Sequence, residues 1–428
     1  MSRPTPRETQ FWLCYRPWAG ASDAPTQVRM VDQARAATVR DTAVRAQQAG
    51  FQRVRLFTTV PDQFADLAGV ERHQTLSNQT VGRVVANAAA ELCEAVSVCY
   101  AGSGMPAMPV AEWEAVRWWW RGGWSVANNV YACDWAAAYD GRDFAVVADE
   151  ESDNAFARRL REQMRSRPLA DRARADEADD IRAVERTIWS RLDLDTPADM
   201  AMLSLALDTG TVTVGPGLSR PETVGPGWRR PEGLRAELRR PVRRPLEIGP
   251  ELAQALSDWR EQLRPTADRL LVVLNTVTDR RRQLTVIGRT SGEQIRILDR
   301  DSACRIGALK EWGLGSRDTG RSEPRALIGL LLESLGPQRL MRELTRDDAA
   351  AVWDTRPLIR REWQVRQADR FASDLGWTNQ ITDSRTRELT EAALQARIAL
   401  GGHCLVNAGL ELGLQTAWER WEQGERAS

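Results

Sequence analysis

Chemistry in this sequence could first sit in glycine-bounded loops at the ends of strand-like runs. Ala101-Gly102-Ser103-Gly104-Met105-Pro106 follows the β-rich run Ala95 to Tyr100. Its backbone N–H groups could wrap a phosphate, or the Gly-x-Gly could simply make a tight turn. Gly288-Arg289-Thr290-Ser291-Gly292 follows the run Leu284 to Ile287. Its glycines and hydroxyls lie where a helix would begin, and Arg289 could pair with a phosphate. Ser373, Asp374 and His403 can be written as a hydrolytic triad, with His403 set in Gly401-Gly402-His403-Cys404. No G-x-S-x-G elbow accompanies them, and the competing reading is a capping serine and a loop histidine.

The metal chemistry open to the chain is narrow. Only two histidines occur, His73 and His403, and the six cysteines, Cys14, Cys93, Cys99, Cys133, Cys304 and Cys404, form no C-x-x-C pair. A His-rich zinc site is not expected, whereas Mg²⁺ or Mn²⁺ on carboxylates remains open. Dispersed cysteines in apolar runs suit a reduced, cytoplasmic protein. No apolar run approaches the ~20 residues needed to span a bilayer, and Met1 to Gln10 is polar, unlike a signal peptide. Basic and acidic residues balance at 59 each, so no overall field favours nucleic acid or an anionic membrane. Lys310 is the only lysine, and arginine carries nearly all the positive charge.

These groups must be positioned by a chain of 428 residues, too long for one ordinary core and suited to two domains. Strand and helix signals alternate in the first half. Phe11 to Tyr15 reads as a strand, Pro17 to Pro25 as a loop, and Thr38 to Ala49 as a helix closed by Gly50. Arg53 to Thr58 reads as a strand, Asp62 to Ala68 as a short helix, and Thr80 to Cys93 as a longer one. A further helix runs through Glu112 to Trp120, and a strand is expected in Ser125 to Tyr131. This alternation argues for a doubly wound, mostly parallel sheet with its ligand beyond the carboxyl ends of the strands. Glu150 to Ser190 has the pattern of a solvated helical face.

The stretch 211–250 reads as an interdomain linker. Thr213-Val214-Gly215-Pro216-Gly217 recurs as Thr223-Val224-Gly225-Pro226-Gly227, and arginine is dense. A basic nucleic-acid-binding arm would interleave aromatics, and only Trp228 does so. The domains are therefore expected at 1–210 and 251–428. In the second, Leu252, Leu256, Trp259 and Leu263 trace a helical stripe. Leu270 to Leu274, Leu284 to Ile287 and Arg397 to Leu400 read as strands, and Ala326 to Leu335 as an apolar helix, again α/β. The cluster Trp113, Trp118, Trp119, Trp120 and Trp124 offers either core rings or a domain or homo-oligomer interface; the interface is favoured.

Leu192-Asp193-Leu194-Asp195-Thr196-Pro197-Ala198-Asp199-Met200 is a strand-to-helix junction. Thr196 can cap it, Pro197 suits the first helical position, and Asp199 falls three residues after the cap. The string resembles the D-x-D-T-P-x-D segment of MobA-like nucleotidyltransferases, the cytidylyl- and guanylyltransferases of molybdopterin and phospholactate metabolism, which have the GT-A nucleotide-binding fold. Thr38 to Thr58 resembles that family's A-x-x-A-G-x-x-x-V-x-V unit, and Pro106-Ala107-Met108-Pro109 its D-x-P-L-L-T turn. The resemblance spans Phe11 to Leu207.

The resemblance implies a GT-A/Rossmann-like domain that moves an NMP from an NTP to a small phosphorylated acceptor. It implies Mg²⁺ or Mn²⁺ on Asp193 and Asp195. Arg29 would be the cation facing the phosphates, with Gly20, Gly102, Ser103, Gly104, Asn128 and Asn129 around the nucleotide. The sequence departs from the family pattern at two places. Gly104 stands where the family has a metal-binding Asp, and the first half has no lysine; Asp134, shortly after Asn128-Asn129, is a candidate substitute carboxylate. These departures leave a second expectation open, a nucleotide-binding or scaffold protein that kept the fold without the activity.

Overall fold

The computed structural model describes residues 8–18, 24–92, 96–121, 125–128, 133–166, 182–183, 192–208, 212–214, 246–278, 284–289, 305–308, 327–346 and 350–401. The chain is α/β and divides into two compact units that are interleaved in sequence rather than consecutive. One comprises residues 1–18, 35–193 and 214–253, the other residues 19–34, 194–213 and 254–428.

The first unit is built on a mixed sheet of order β3-β2-β1-β4-β6-β5-β7. Its strands are β1 (Thr9–Tyr15), β2 (Arg53–Thr58), β3 (Val70–Gln74), β4 (Ser97–Ala101), β5 (Val126–Ala127), β6 (Trp135–Ala138) and β7 (Arg182–Ala183). β3, β2, β1 and β4 are mutually parallel, and β6 runs antiparallel to β4 and β5. β1 and β4 are central and bury both faces, which is why they read as nearly unbroken apolar runs. β3 is an edge strand of sequence Val-Glu-Arg-His-Gln, and its charged side chains guard that edge. Here Arg55 Nε donates to His73 Nε2 at 3.1 Å, which uses the ring nitrogen structurally.

Helices cover both faces. α1 (Thr26–Gln48) starts twelve residues before the expected Thr38, directly after the loop expected at Pro17 to Pro25. Gly50 ends it at φ +79°, as the sequence anticipated. α2 (Val81–Ala90) is capped by Thr80, whose hydroxyl accepts from Arg83 N at 3.1 Å. α3 is Val110–Arg121 and α4 Phe156–Ser166. One core face joins Phe11, Phe51, Trp113, Trp120 and Trp135. Phe11 meets Trp113 edge-on at 4.9 Å, and Phe51 meets Trp120 at 5.8 Å. Trp113 is fully buried and Trp120 nearly so, which withdraws both from the expected interface: their helix face lies on the sheet. Trp124 lies outside the described residues.

Gly82 shows how closely α2 seats. A Cβ there would overlap the carbonyl oxygens of Val147 and Glu150, both backbone atoms that cannot swing away. Gly82→Ala is expected to destabilise the protein by about 2 kcal/mol. Urea unfolding checks this; a change below ~0.5 kcal/mol would mean the 147–150 turn moves freely.

The second unit holds a four-stranded sheet of order β11-β10-β12-β13, parallel throughout. After β8 (Val212–Val214) and β9 (Leu246–Ile248) come its strands β10 (Leu284–Arg289), β11 (Arg305–Ala308), β12 (Ala350–Asp354) and β13 (Ala399–Gly401). Trp353, Leu358, Ile359, Leu389 and Leu400 are among its core residues. The strand expected at Leu270 to Leu274 lies instead inside the helix Arg260–Thr278. Leu263, Thr266 and Leu270 are buried at helical spacing, so the stripe begun at Leu252 runs on to Leu270. Among the described residues, no helix is long and apolar enough to cross a membrane.

Candidate functional site

In the first unit the chain leaves β1 through α1 to reach β2 on one side. It returns through α2 to β4 on the other. Neighbouring strands whose connections diverge leave a crevice beyond their carboxyl ends, and doubly wound sheets bind ligands there. β1 ends at Tyr15 and β4 at Ala101. Antiparallel β6 begins at this same edge, since Trp135 is paired with Ala101.

Arg35, on α1, reaches this edge. It donates to Ser103 Oγ at 2.6 Å and to Arg16 O at 3.3 Å, so it ties the loop after β1 to the loop after β4. Its guanidinium lies 4.0 Å from the Trp18 ring centroid, stacked in cation–π contact. Trp18 stays 37% exposed, the kind of ring face a base or sugar can cover. Arg16 turns aside and donates to the carbonyls of Leu76 and Gln79.

Asp134, through its backbone carbonyl, and Asp153, through its carboxylate, border the Gly102 loop. Gly102 N donates to Asp134 O at 2.9 Å, and a Cβ on Gly102 would come within 2.8 Å of Asp153 Oδ2. Glycine is therefore what lets the loop lie against that carboxylate. Tyr100 donates its hydroxyl to Asp153 Oδ2 at 2.9 Å. Burial and the Asp153 charge hold the Tyr100 phenol protonated, well above its usual range. At the start of α3, burial pushes the Glu112 carboxyl up to about 7.

The residues singled out from sequence fall as follows. Ser103 and Gly102 lie at the crevice, with Gly104 beside them in the same turn. Asn128 lies at the same edge with its amide committed. Its Oδ1 accepts from Asp134 N at 3.0 Å and Trp135 N at 3.2 Å, and its Nδ2 donates to Asp134 Oδ2 at 2.7 Å. Arg29 is on α1, exposed, and donates to Thr26 Oγ1 at 3.3 Å. Gly20 and Asn129 lie outside the described residues.

Asp193 and Asp195 are half-buried at the entrance to the helix Pro197–Asp208. The cap there is reciprocal, as its sequence suggests. Asp199 Oδ2 accepts from Thr196 N at 2.8 Å, Thr196 Oγ1 at 2.9 Å and Asp195 N at 3.0 Å, while Asp199 N donates to Thr196 Oγ1 at 3.3 Å. Burial pushes the Asp199 carboxyl up to about 7 despite these donors.

In the second unit, Ser373 is buried and its hydroxyl pairs with Thr390 Oγ1 at 2.7 Å. That is a structural bond between two helices rather than an activated nucleophile. Asp374 is buried nearby. His403 lies outside the described residues, as does the Arg289 side chain, although the Arg289 backbone ends β10.

Sequence reading missed Arg35, Trp18 and Asp153. Arg35 was hidden in an arginine-rich stretch, and only the topology shows which arginine faces the β1/β4 edge. Asp153 comes from a charged run that reads as solvated surface. Among the described residues, no group of three or more His, Cys, Asp or Glu side chains is arranged to hold a metal ion. No family model matches the chain, and no curated protein matches it.

Proposed function

We propose that the first unit is a nucleotide-binding domain of the GT-A type and that the protein is a nucleotidyltransferase, moving an NMP from an NTP to a small phosphorylated acceptor. The observation that carries this reading is Arg35, held between the Trp18 ring and Ser103 Oγ where the loops after β1 and β4 meet. A fixed guanidinium supplies charge-assisted donors for phosphate oxygens. Trp18 offers a ring to a base or ribose, and the Gly102 to Gly104 turn offers backbone N–H groups. In this proposal Arg35 takes the part that the resemblance gave to Arg29.

Mg²⁺ or Mn²⁺ belongs to the same proposal, with Asp193 as its carboxylate in the first unit. Mg²⁺ needs few protein ligands, because it normally completes its shell with water and substrate phosphates rather than a protein cage. Bound, the metal would neutralise charge on the triphosphate.

A second reading, nucleotide binding without transfer, is favoured by Gly104, which brings no carboxylate to the turn, and by the structural use of Asn128. Thermal shift of the full chain with ATP, GTP, CTP and UTP, each with and without Mg²⁺ or Mn²⁺, tests both readings. A ligand at a hundred times its Kd adds about 2.7 kcal/mol of stability. A metal-dependent shift with one nucleotide is expected for the transferase. A metal-independent shift would support binding alone, and no shift with any nucleotide would overturn both.

A further inference from the structure

The second unit has its own switch point. From β10 the chain passes to β11 on one side and then to β12 on the other, so β10 and β12 are neighbours with diverging connections. Gly288 and Arg289 end β10, and Asp354 ends β12. Ligands of doubly wound sheets bind beyond such a pair of carboxyl ends.

Three arginines gather there. Arg356 follows Asp354 closely and grips it with two bonds, Nε to Oδ1 at 3.0 Å and Nη2 to Oδ2 at 2.9 Å. Arg360 is one turn on and exposed. Arg370 projects from the helix Gln367–Leu375, which packs beside β13. Arg370 has no ion pair, and its Nε is buried without a hydrogen-bond partner among the described residues. Burial, then repulsion from Arg360 and Arg356, lowers the Arg370 guanidinium to about 10. Like charges are crowded together with too few bonded counter-charges, an arrangement that costs free energy in an empty protein.

The carboxylates nearby relieve it only in part, since Asp374 and Asp195 attract Arg370 without a hydrogen bond to it. Asp354 is already taken by Arg356. Asp374 is 5% exposed and its carboxyl has no hydrogen bond among the described residues; burial and the Asp199 charge drive it toward the neutral acid. Asp195 attracts Arg370 only at a distance, without a bond. What the cluster lacks is an anion with several acceptor oxygens.

We propose that the second unit binds the phosphate group of a small molecule at the β10/β12 carboxyl edge, with Arg370 and Arg360 as its cationic clamp and the Asp374 carboxyl as a hydrogen-bonding neighbour. The Asp354–Arg356 pair then acts as a positioning element that holds the start of the turn in place. The proposal does not rest on the nucleotide reading of the first unit.

Calorimetric titration of the full chain with inorganic pyrophosphate, and separately with malonate, tests the proposal. Pyrophosphate is expected to bind, and malonate to bind at least about tenfold more weakly. Arg370→Gln should weaken pyrophosphate binding about tenfold or more. Arg360→Gln, an exposed change that leaves packing alone, should weaken it about threefold or more. Arg35→Gln, in the first unit, should change it less than about twofold. No pyrophosphate binding, equal affinity in wild type and both second-unit variants, a loss caused by Arg35→Gln alone, or preference for malonate would each overturn the site. The nucleotide reading of the first unit stands or falls separately, on the triphosphate shifts.

Discussion

Replacing Arg45 with methionine is expected to cost about 3–5 kcal/mol of stability, the largest effect of any single change considered. Arg45 lies on α1, is 2% exposed, and points between segments far apart in sequence. Its Nη1 donates to Pro106 O at 3.1 Å and Met108 O at 3.3 Å, and its Nη2 to Glu247 O at 3.3 Å. Burial lowers its pKa from the usual arginine range, opposed by the charges of Asp41 and Glu247. Methionine fills much of the volume but strands these carbonyls without donors, and each stranded buried group costs about 1–3 kcal/mol. Two of the carbonyls belong to the turn that carries Gly102 and Ser103 toward α3, so the variant should also loosen the candidate site. Arg40→Met is the control. Arg40 pairs with exposed Asp66 at 2.6 Å and also donates to the Gln63 carbonyl; each such bond at the surface is worth at most about 1 kcal/mol, so the control should cost clearly less than Arg45→Met. Urea unfolding of both variants measures the difference; equal costs would refute the role given to Arg45.

The second large effect is a pH dependence at Asp41, one turn before Arg45. The Asp41 carboxylate accepts from Leu252 N at 3.0 Å and Glu251 N at 3.3 Å, capping the helix Pro250–Asp258 from a distant part of the chain. A Cβ on Gly249 would overlap this carboxylate, so glycine is needed for the approach. Burial outweighs these donors and pushes the Asp41 pKa up to about 6, from an ordinary value of 3.8. The folded protein therefore holds a proton that the unfolded chain has released between those two values. Stability from this group is greatest below the unfolded value and is lost as pH rises through about 6. Between pH 4 and pH 8 the loss is about 2–2.5 kcal/mol. Asp41→Ala removes it, so the variant should cost about that much more at pH 4 than at pH 8. Urea unfolding at the two pH values gives the comparison. A cost that grows with pH would show that the carboxylate is stabilised by its helix and not strained by burial.

Both residues also hold the end of the stretch read as a linker, of which residues 215–245 lie outside the described residues. A Gly/Pro/Arg-rich stretch signals poor burial, yet nothing local reveals that residues 247–252 are held by Asp41 and Arg45, some two hundred positions earlier. Strands β1, β2, β4 and β10 were legible because apolar, β-favouring residues recur there. β6 was not: Trp-Ala-Ala-Ala has no β-branched residue, and only burial between β4 and β5 makes it a strand. β3 was hidden by its polar edge sequence. The cap at Thr196 and Asp199 was legible because a capping box is local chemistry. The site was legible only in part. The glycine turn at Gly102 carries its own signal, but the cation beside it is chosen by the direction in which α1 crosses the sheet. That is a tertiary fact, and it places Arg35 beside the turn, whereas the resemblance pointed to Arg29.

The most direct test of the nucleotide reading is calorimetric titration of the full chain with the triphosphate that gives the largest thermal shift, in Mg²⁺, against wild type, Arg35→Gln and Trp18→Ala. In the proposed site Arg35 would make a charge-assisted contact worth about 1.5–3 kcal/mol, so its loss should weaken binding by about tenfold to a hundredfold. Trp18→Ala should weaken it about fivefold or more through lost stacking. Both variants should keep the wild-type unfolding curve to within about 1 kcal/mol. Triphosphate binding that is equally tight in all three proteins would contradict the assignment of the β1/β4 crevice as the nucleotide site.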